Sequence, residues 1–177
     1  MAIVRHEFFQ QAFFVADLEV AIIEWNRVFG AGPFVVAAHH RTDSFDYRGT
    51  DQQADVSYAF GYLGDTMIQF IVQHDDSLSI YRDMYEPGQF GFHHSGVLVD
   101  DFEAEFERLE SLGFSCATRL FADGVDAAYF DTRESTGGFI EIHGSPPHIL
   151  DTFAGWRRAH DERQPGDSPF LTRRRSL

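Results

Sequence analysis

The sequence predicts an α+β fold: two βαβββ modules paired about a pseudo-twofold axis, their strands forming a cup-shaped mixed sheet around a shared cavity. Three observations carry this. Short apolar runs of strand length surround one amphipathic helix in each half. The order of elements in the first half recurs in the second. Polar residues also interrupt otherwise apolar strands at matching places. The first module spans residues 7–75 and the second 90–145, giving a single domain over 1–145, with 146–177 as a C-terminal extension or tail.

In chain order, Phe8 to Ala16 reads as a buried strand. Asp17 then offers an N-cap, Ile22, Trp25 and Phe29 recur at helical spacing, and Gly30 stops the pattern. Phe34 to His40 reads as a strand, and the polar stretch Arg41 to Asp55 as a loop. Val56 to Leu63 and Thr66 to Gln73 read as strands joined by a Gly64-Asp65 turn. A connector with a short helix around Leu78 to Tyr85 follows. The order then restarts with a strand from Phe92 to Val99, a cap at Asp100 or Asp101, and a helix striped by Phe102, Phe106, Leu109 and Leu112 that ends at Gly113. Phe114 to Phe121, Ala127 to Asp131 and Gly138 to His143 supply the last strands. Placing Asp17 on Asp101 sets an offset of 84, which also aligns Glu19 with Glu103, Phe9 with His93 and Gln10 with His94. Beyond Pro146-Pro147 a short helix runs from Ile149 to His160, and Arg163 to Leu177, including Arg173-Arg174-Arg175, reads as a solvated tail.

The 177 residues carry a formal charge of −14, and the body of the chain lacks the basic stripe that a phosphate backbone needs, which argues against nucleic acid. A coenzyme A thioester is not excluded by charge, because a local cationic pocket can exist on an acidic protein. The single cysteine, Cys116, allows neither an intrachain disulfide nor a Cys-based zinc site. Arg5, His6 and Glu7 precede the first apolar run with no cleavage site after it, and no apolar run reaches the length of a membrane span. A cytoplasmic protein with no membrane partner is expected. The 19 Phe suggest either a wide aromatic-lined interior or simply a Phe-rich core.

If the modules pair as predicted, polar residues on the first and last strand of each approach one cavity. His94 and Glu141 hold these places in the second module, 47 residues apart, and Gln10 and Gln69 hold them in the first, 59 apart. Each sits among apolar neighbours, and burying such groups costs a few kcal/mol unless something satisfies them. A divalent cation would satisfy all four. Strand alternation together with the offset selects His94 over its neighbour His93 and Gln10 over Gln11. His39, His40, His74, His143 and His148 share no ligand spacing and read as surface or loop histidines.

These motifs resemble the vicinal-oxygen-chelate superfamily, which includes glyoxalase I, methylmalonyl-CoA epimerase, extradiol dioxygenases and bleomycin-resistance proteins. The resemblance covers residues 7 to 145. It rests on Gln10 through Glu19, WNRVFGAGPF from Trp25, FHHSGVLVDDFE from Phe92, and AYFDT…GGFIEI ending at Glu141. It implies metal positions at Gln10, Gln69, His94 and Glu141 and a divalent ion (Zn, Ni, Co, Mn or Mg). Gln at the first position is similar to eukaryotic-type glyoxalase I and Gln at the second to the epimerase, and the chain matches neither set in full. A dioxygenase is disfavoured, since only His94 and Glu141 fit a two-His, one-carboxylate site. The implied activity is therefore glyoxalase- or epimerase-like, acting on a small carbonyl substrate through a metal-stabilised enediolate, with Glu141 as ligand and catalytic group. Tyr58 and His40 are the guesses for a second base. The alternative is a non-catalytic, bleomycin-resistance-like protein that sequesters a small molecule in the same cup. A homodimer is expected in either case.

Overall fold

The computed structural model describes residues 6–171, so Arg5 and the Arg173–Arg175 cluster lie outside the described residues. The first module comprises β1 (Phe8–Phe14), α1 (Leu18–Phe29), β2 (Val35–His40), β3 (Ser44–Tyr47), β4 (Val56–Leu63) and β5 (Thr66–Gln73). The second comprises β6 (Gly91–Val99), α2 (Phe102–Ser111), β7 (Cys116–Ala122), β8 (Val125–Asp131), the single-turn α3 (Arg133–Thr136) and β9 (Phe139–Gly144), and α4 (Pro147–Asp161) follows. Both long module helices begin as expected. The Asp17 carboxylate accepts from the Val20 N–H at 2.9 Å, and that of Asp101 accepts from the Ala104 N–H at 3.1 Å. Gly30 ends α1 in the left-handed region at φ 73°, which a residue with a Cβ adopts only at a cost.

Among the described residues nine strands form one sheet in the order β2-β4-β5-β1-β6-β9-β8-β7-β3. The two modules join through the antiparallel pair β1–β6, while β1–β5 and β6–β9 are the parallel pairs. Register reproduces the repeat read from the sequence. Gln10 pairs with Gly96 and His94 with Ala12, and a shift of 84 positions exchanges these two pairs. Gln69 lies opposite Ala12 and Glu141 opposite Gly96, so the last strands are placed equivalently as well. On the convex face, α1 buries Ala21 and Ile22 against Ala59, Ile68 and Phe70, and Leu109 of α2 packs with Ala128, Phe130 and Ile142.

The sheet differs from expectation at its margins. The stretch Arg41 to Asp55, expected to be a loop, contains β3, which pairs with β7 at the far edge of the other module. Phe45 and Tyr47 alternate there with Ser44 and Asp46 and turn inward, a strand pattern only four residues long. Since β2 and β3 occupy opposite ends of the sheet order and only residues 41–43 separate them, the sheet is curled into a half-barrel. The helix expected around Leu78 to Tyr85 is instead a run of turns. Pro87 disfavours helical backbone at the preceding residue, and Ile80 and Tyr81 are drawn into the cup against Phe14, Tyr58 and Ile71.

At the C-terminus α4 begins at Pro147, whose fixed φ and missing N–H suit a first helical turn. The beginning of the expected solvated tail is docked: the Phe34 N–H donates to the Pro169 carbonyl and the Leu171 N–H to the Phe34 carbonyl, both at 2.8 Å. Its polar composition hid one apolar anchor, Phe170, which packs against the Phe34 cluster. Among the described residues no helix is long and apolar enough to cross a membrane.

Candidate functional site

On the concave face, alternation along β1 buries Gln10, Ala12 and Phe14, while Gln11 turns to the other side and accepts from Ser95. All four residues expected at the site converge, and each is at most 4% exposed. Gln10 Nε2 lies 3.1 Å from Gln69 Oε1, 3.1 Å from His94 Nε2 and 2.9 Å from Glu141 Oε2. His94 Nε2 and Glu141 Oε2 are 3.3 Å apart. The space exists because residue 96 is glycine: a Cβ there would come within 3.0 Å of Glu141 Oε2 and 2.8 Å of the Phe9 ring.

Tyr129 of β8, which sequence reasoning did not single out, donates its hydroxyl to Glu141 Oε1 at 2.9 Å. Its signal was a hydroxyl within the apolar Ala128–Phe130 run. Burial pushes the Glu141 carboxyl up, but its polar neighbours, His94 first and then His143 and Tyr129, bring it net below its ordinary value. Burial also holds the Tyr129 hydroxyl well above its ordinary value, so it remains a proton donor to the carboxylate.

His93 departs from expectation. Strand alternation should turn it away from His94, yet both rings are fully buried on the concave side. The β1–β6 register skips between Ala12–His94 and Phe13–Phe92, which leaves His93 as the extra residue of a β-bulge. Its ring packs on Phe139 and Tyr81, with Nε2 3.1 Å from the Ile80 carbonyl and Nδ1 2.8 Å from His94 Nδ1. Burial, reinforced by His94, keeps the His93 pKa well below its ordinary value.

The donor set fits a divalent cation. Gln10 Nε2 carries two hydrogens but faces three acceptors, so one acceptor is left underserved. A half-turn of the Gln10 amide would add its own oxygen to the same point. Two amide oxygens, one imidazole nitrogen and one carboxylate would then surround a cation as hard and borderline donors. Among the described residues no cluster of three or more His, Cys, Asp or Glu forms a metal site, so any ion here depends on the two glutamines.

Beside these groups lies a cavity of about 500 Å³. Tyr58, Phe60 and Tyr129 line it from the sheet, and Phe153 and Trp156 line it from α4. Trp156 stacks on Phe60 at 5.5 Å and Phe153 on Phe9 at 5.7 Å, so the C-terminal helix forms a wall of the cavity. His40, His143 and His148, read from sequence as surface or loop residues, also line it. His143 was within reach of the sequence argument, since it stands two positions beyond Glu141 and therefore on the same face. Tyr58 Oη is 3.0 Å from Tyr81 Oη, and burial pushes its pKa up to about 12. Among the described residues no arginine lines the cavity, and the chain has no lysine.

A curled sheet of two repeated modules, with buried polar side chains meeting at the inter-module pair, defines a cup-shaped α+β class of protein. Residues 9–130 match the Glyoxalase/Bleomycin resistance protein/Dioxygenase superfamily, and the chain belongs to it. Among curated proteins none matches the sequence. The structure is similar to methylmalonyl-CoA epimerase from Mycobacterium tuberculosis (TM-score 0.55, 19% identity, 81% of this chain and 91% of that one). It is also similar to a hypothetical protein from Bacillus halodurans C-125 (TM-score 0.58, 14% identity, 80% and 95% covered). A third similar structure is a methylmalonyl-CoA epimerase in complex with methylmalonyl-CoA and NH4+ (TM-score 0.52, 13% identity, 80% and 96% covered). At these identities the likeness is one of fold.

Proposed function

We propose that the chain is a metal-dependent enzyme of glyoxalase or epimerase type, which moves a proton at the carbon next to a carbonyl of a small substrate. The observation that carries this reading is the convergence of Gln10, Gln69, His94 and Glu141 at the edge of an aromatic cavity. These four residues would hold the ion, with Zn, Ni, Co, Mn and Mg as the candidates. When bound, such a cation supplies Lewis-acid polarisation of a carbonyl oxygen.

The remaining work falls to the chain. Phe60, Phe153 and Trp156 pack the apolar part of the substrate and exclude water. Glu141 is the first proton acceptor, and Tyr129 holds its other oxygen in place. The Tyr58 hydroxyl, tied to Tyr81 and hard to ionise, is a poor second base. His40 and His143 are the better candidates. Nδ1 of His143 donates to the Gly144 carbonyl at 2.7 Å, which leaves Nε2 free to accept a proton. The protein works as a homodimer in the cytoplasm, a compartment that suits its one free thiol.

A second reading, metal-free sequestration of an aromatic molecule, draws on the same amide: Gln10 Nε2 already lies within hydrogen-bond reach of all three acceptors. Metal analysis of the purified protein separates the two. About one divalent ion per chain, lost in chelator, is expected. No ion at micromolar free metal would leave the sequestering reading.

A further inference from the structure

We propose that His93 is the positioning residue of this site: anchored on the Ile80 carbonyl, it fixes His94 in the tautomer whose Nε2 lone pair faces Gln10 and Glu141. The inference rests on three hydrogen-bond distances and on the chemistry of the groups that make them. A carbonyl oxygen only accepts, so the 3.1 Å contact to Ile80 requires the proton of His93 on Nε2. The neutral ring then presents Nδ1 as an acceptor. His94 Nδ1, 2.8 Å away, must supply the proton between them. A neutral His94 protonated at Nδ1 is bare at Nε2, the atom 3.1 Å from the Gln10 amide and 3.3 Å from Glu141. A charged His93 would reverse the order, but the ring is fully buried among Tyr81, Phe139 and His94 with no carboxylate against it, where a lone charge is costly.

The bulge gives this relay its geometry. In regular strand backbone neighbouring side chains point to opposite faces and these rings could not meet. The extra residue in β6 turns His93 to the concave side, where the turns around Ile80 supply the anchoring carbonyl. The lone pair so aimed is the one a divalent cation needs, and a partner that fixes a ligand's tautomer raises metal affinity.

Long-range proton–nitrogen NMR correlations of the imidazole rings test this in the metal-free protein. Wild type should show His94 protonated at Nδ1 and bare at Nε2. His93→Asn keeps an acceptor near the position of Nδ1 and should retain that pattern. His93→Phe fills the volume without an acceptor and should move the His94 proton to Nε2, towards Glu141. Titration with Zn²⁺ alone should then show affinity falling about 10- to 100-fold in His93→Phe and staying close to wild type in His93→Asn. The proposal is overturned if wild-type His94 carries its proton on Nε2, or if His93→Phe keeps both the tautomer and the zinc affinity of wild type. The zinc arm rests on the metal-enzyme reading. Wild type that binds no Zn²⁺ would remove that reading, and the tautomer measurement would still decide the role of His93.

Discussion

At the scale of single residues, Glu141 separates a ligand role from a structural one. A buried carboxylate can persist because it is paired with an arginine, but the partners of Glu141 are Tyr129, Gln10 and His94. Glu141→Gln keeps the shape and one acceptor oxygen and removes the only carboxylate of the site. Without an arginine to strand, the metal-free variant should melt within about 1 kcal/mol of wild type, or slightly higher. Its affinity for a divalent ion should fall by on the order of 100-fold, because three amides and one imidazole carry no negative charge. Melts with and without chelator read both effects. A chelator-insensitive wild type together with a strongly destabilised variant would make Glu141 a structural group. The four site residues were legible because each is a polar side chain inside an apolar strand at a repeated position. His93 was not, because a bulge changes register by one residue and leaves no trace in an alternating pattern.

Among the elements, strands β4 and β5 were read to the residue, since two β-rich runs flank an unmistakable turn dipeptide. Strand β3 was missed because four residues of alternation weigh little inside a polar stretch. Helix α4 was anticipated, but its place was not. Amphipathic spacing says that a face is buried, not which surface buries it, and here that surface is the cavity. Trp156→Ala should therefore have two consequences. Loss of the Phe60 stack from a half-buried position should cost about 1–2 kcal/mol in thermal or denaturant unfolding. The opened wall should also weaken binding of any aromatic ligand more than it weakens metal binding, since Trp156 stands on α4 and the four polar groups stand on β1, β5, β6 and β9. Equal losses of both would show that α4 supports the site rather than the ligand.

For the molecule as a whole, an ion cluster joins parts distant in sequence. Arg48, just after β3, pairs with Asp83 of the connector at 2.7 Å and with Asp131 of β8 at 3.1 Å, and Arg133 pairs with Asp131 at 2.7 Å. Arg133 beside it, opposed by burial and helped by Arg48, draws the Asp131 pKa down to about 2. Because the folded value is depressed, the stabilisation is fully present above the unfolded value near 4 and is lost as pH falls towards 2. Asp131→Asn should thus be about 1 kcal/mol less stable than wild type at pH 6 once solvent screening is allowed for, and the gap should close near pH 2. Urea melts across that range check it. Val20, Ile23, Val28 and Phe29 are all more than 40% exposed on α1, an apolar surface that a second copy would cover. Light scattering at micromolar concentration should give twice the 20.2 kDa chain mass, and a monomeric mass would refute the homodimer.

The tie between β2 and β3 has a mechanical consequence. Only residues 41–43 link the two ends of the nine-stranded sheet, so the wall is a hoop fastened by the chain itself. A hoop cannot splay to take a wider guest unless its rung of four residue pairs between β3 and β7 unzips. The bore is thus set by covalent connectivity, and α4 is the wall of the cavity that no strand pairing holds. That helix is held by aromatic stacking, by the ion pair of Arg157 with Asp65 and by the His160 hydrogen bond to the Gly32 carbonyl, contacts made by side chains and not by strand pairing. On the proposed reading, a guest would be gauged by the hoop and admitted past the helix.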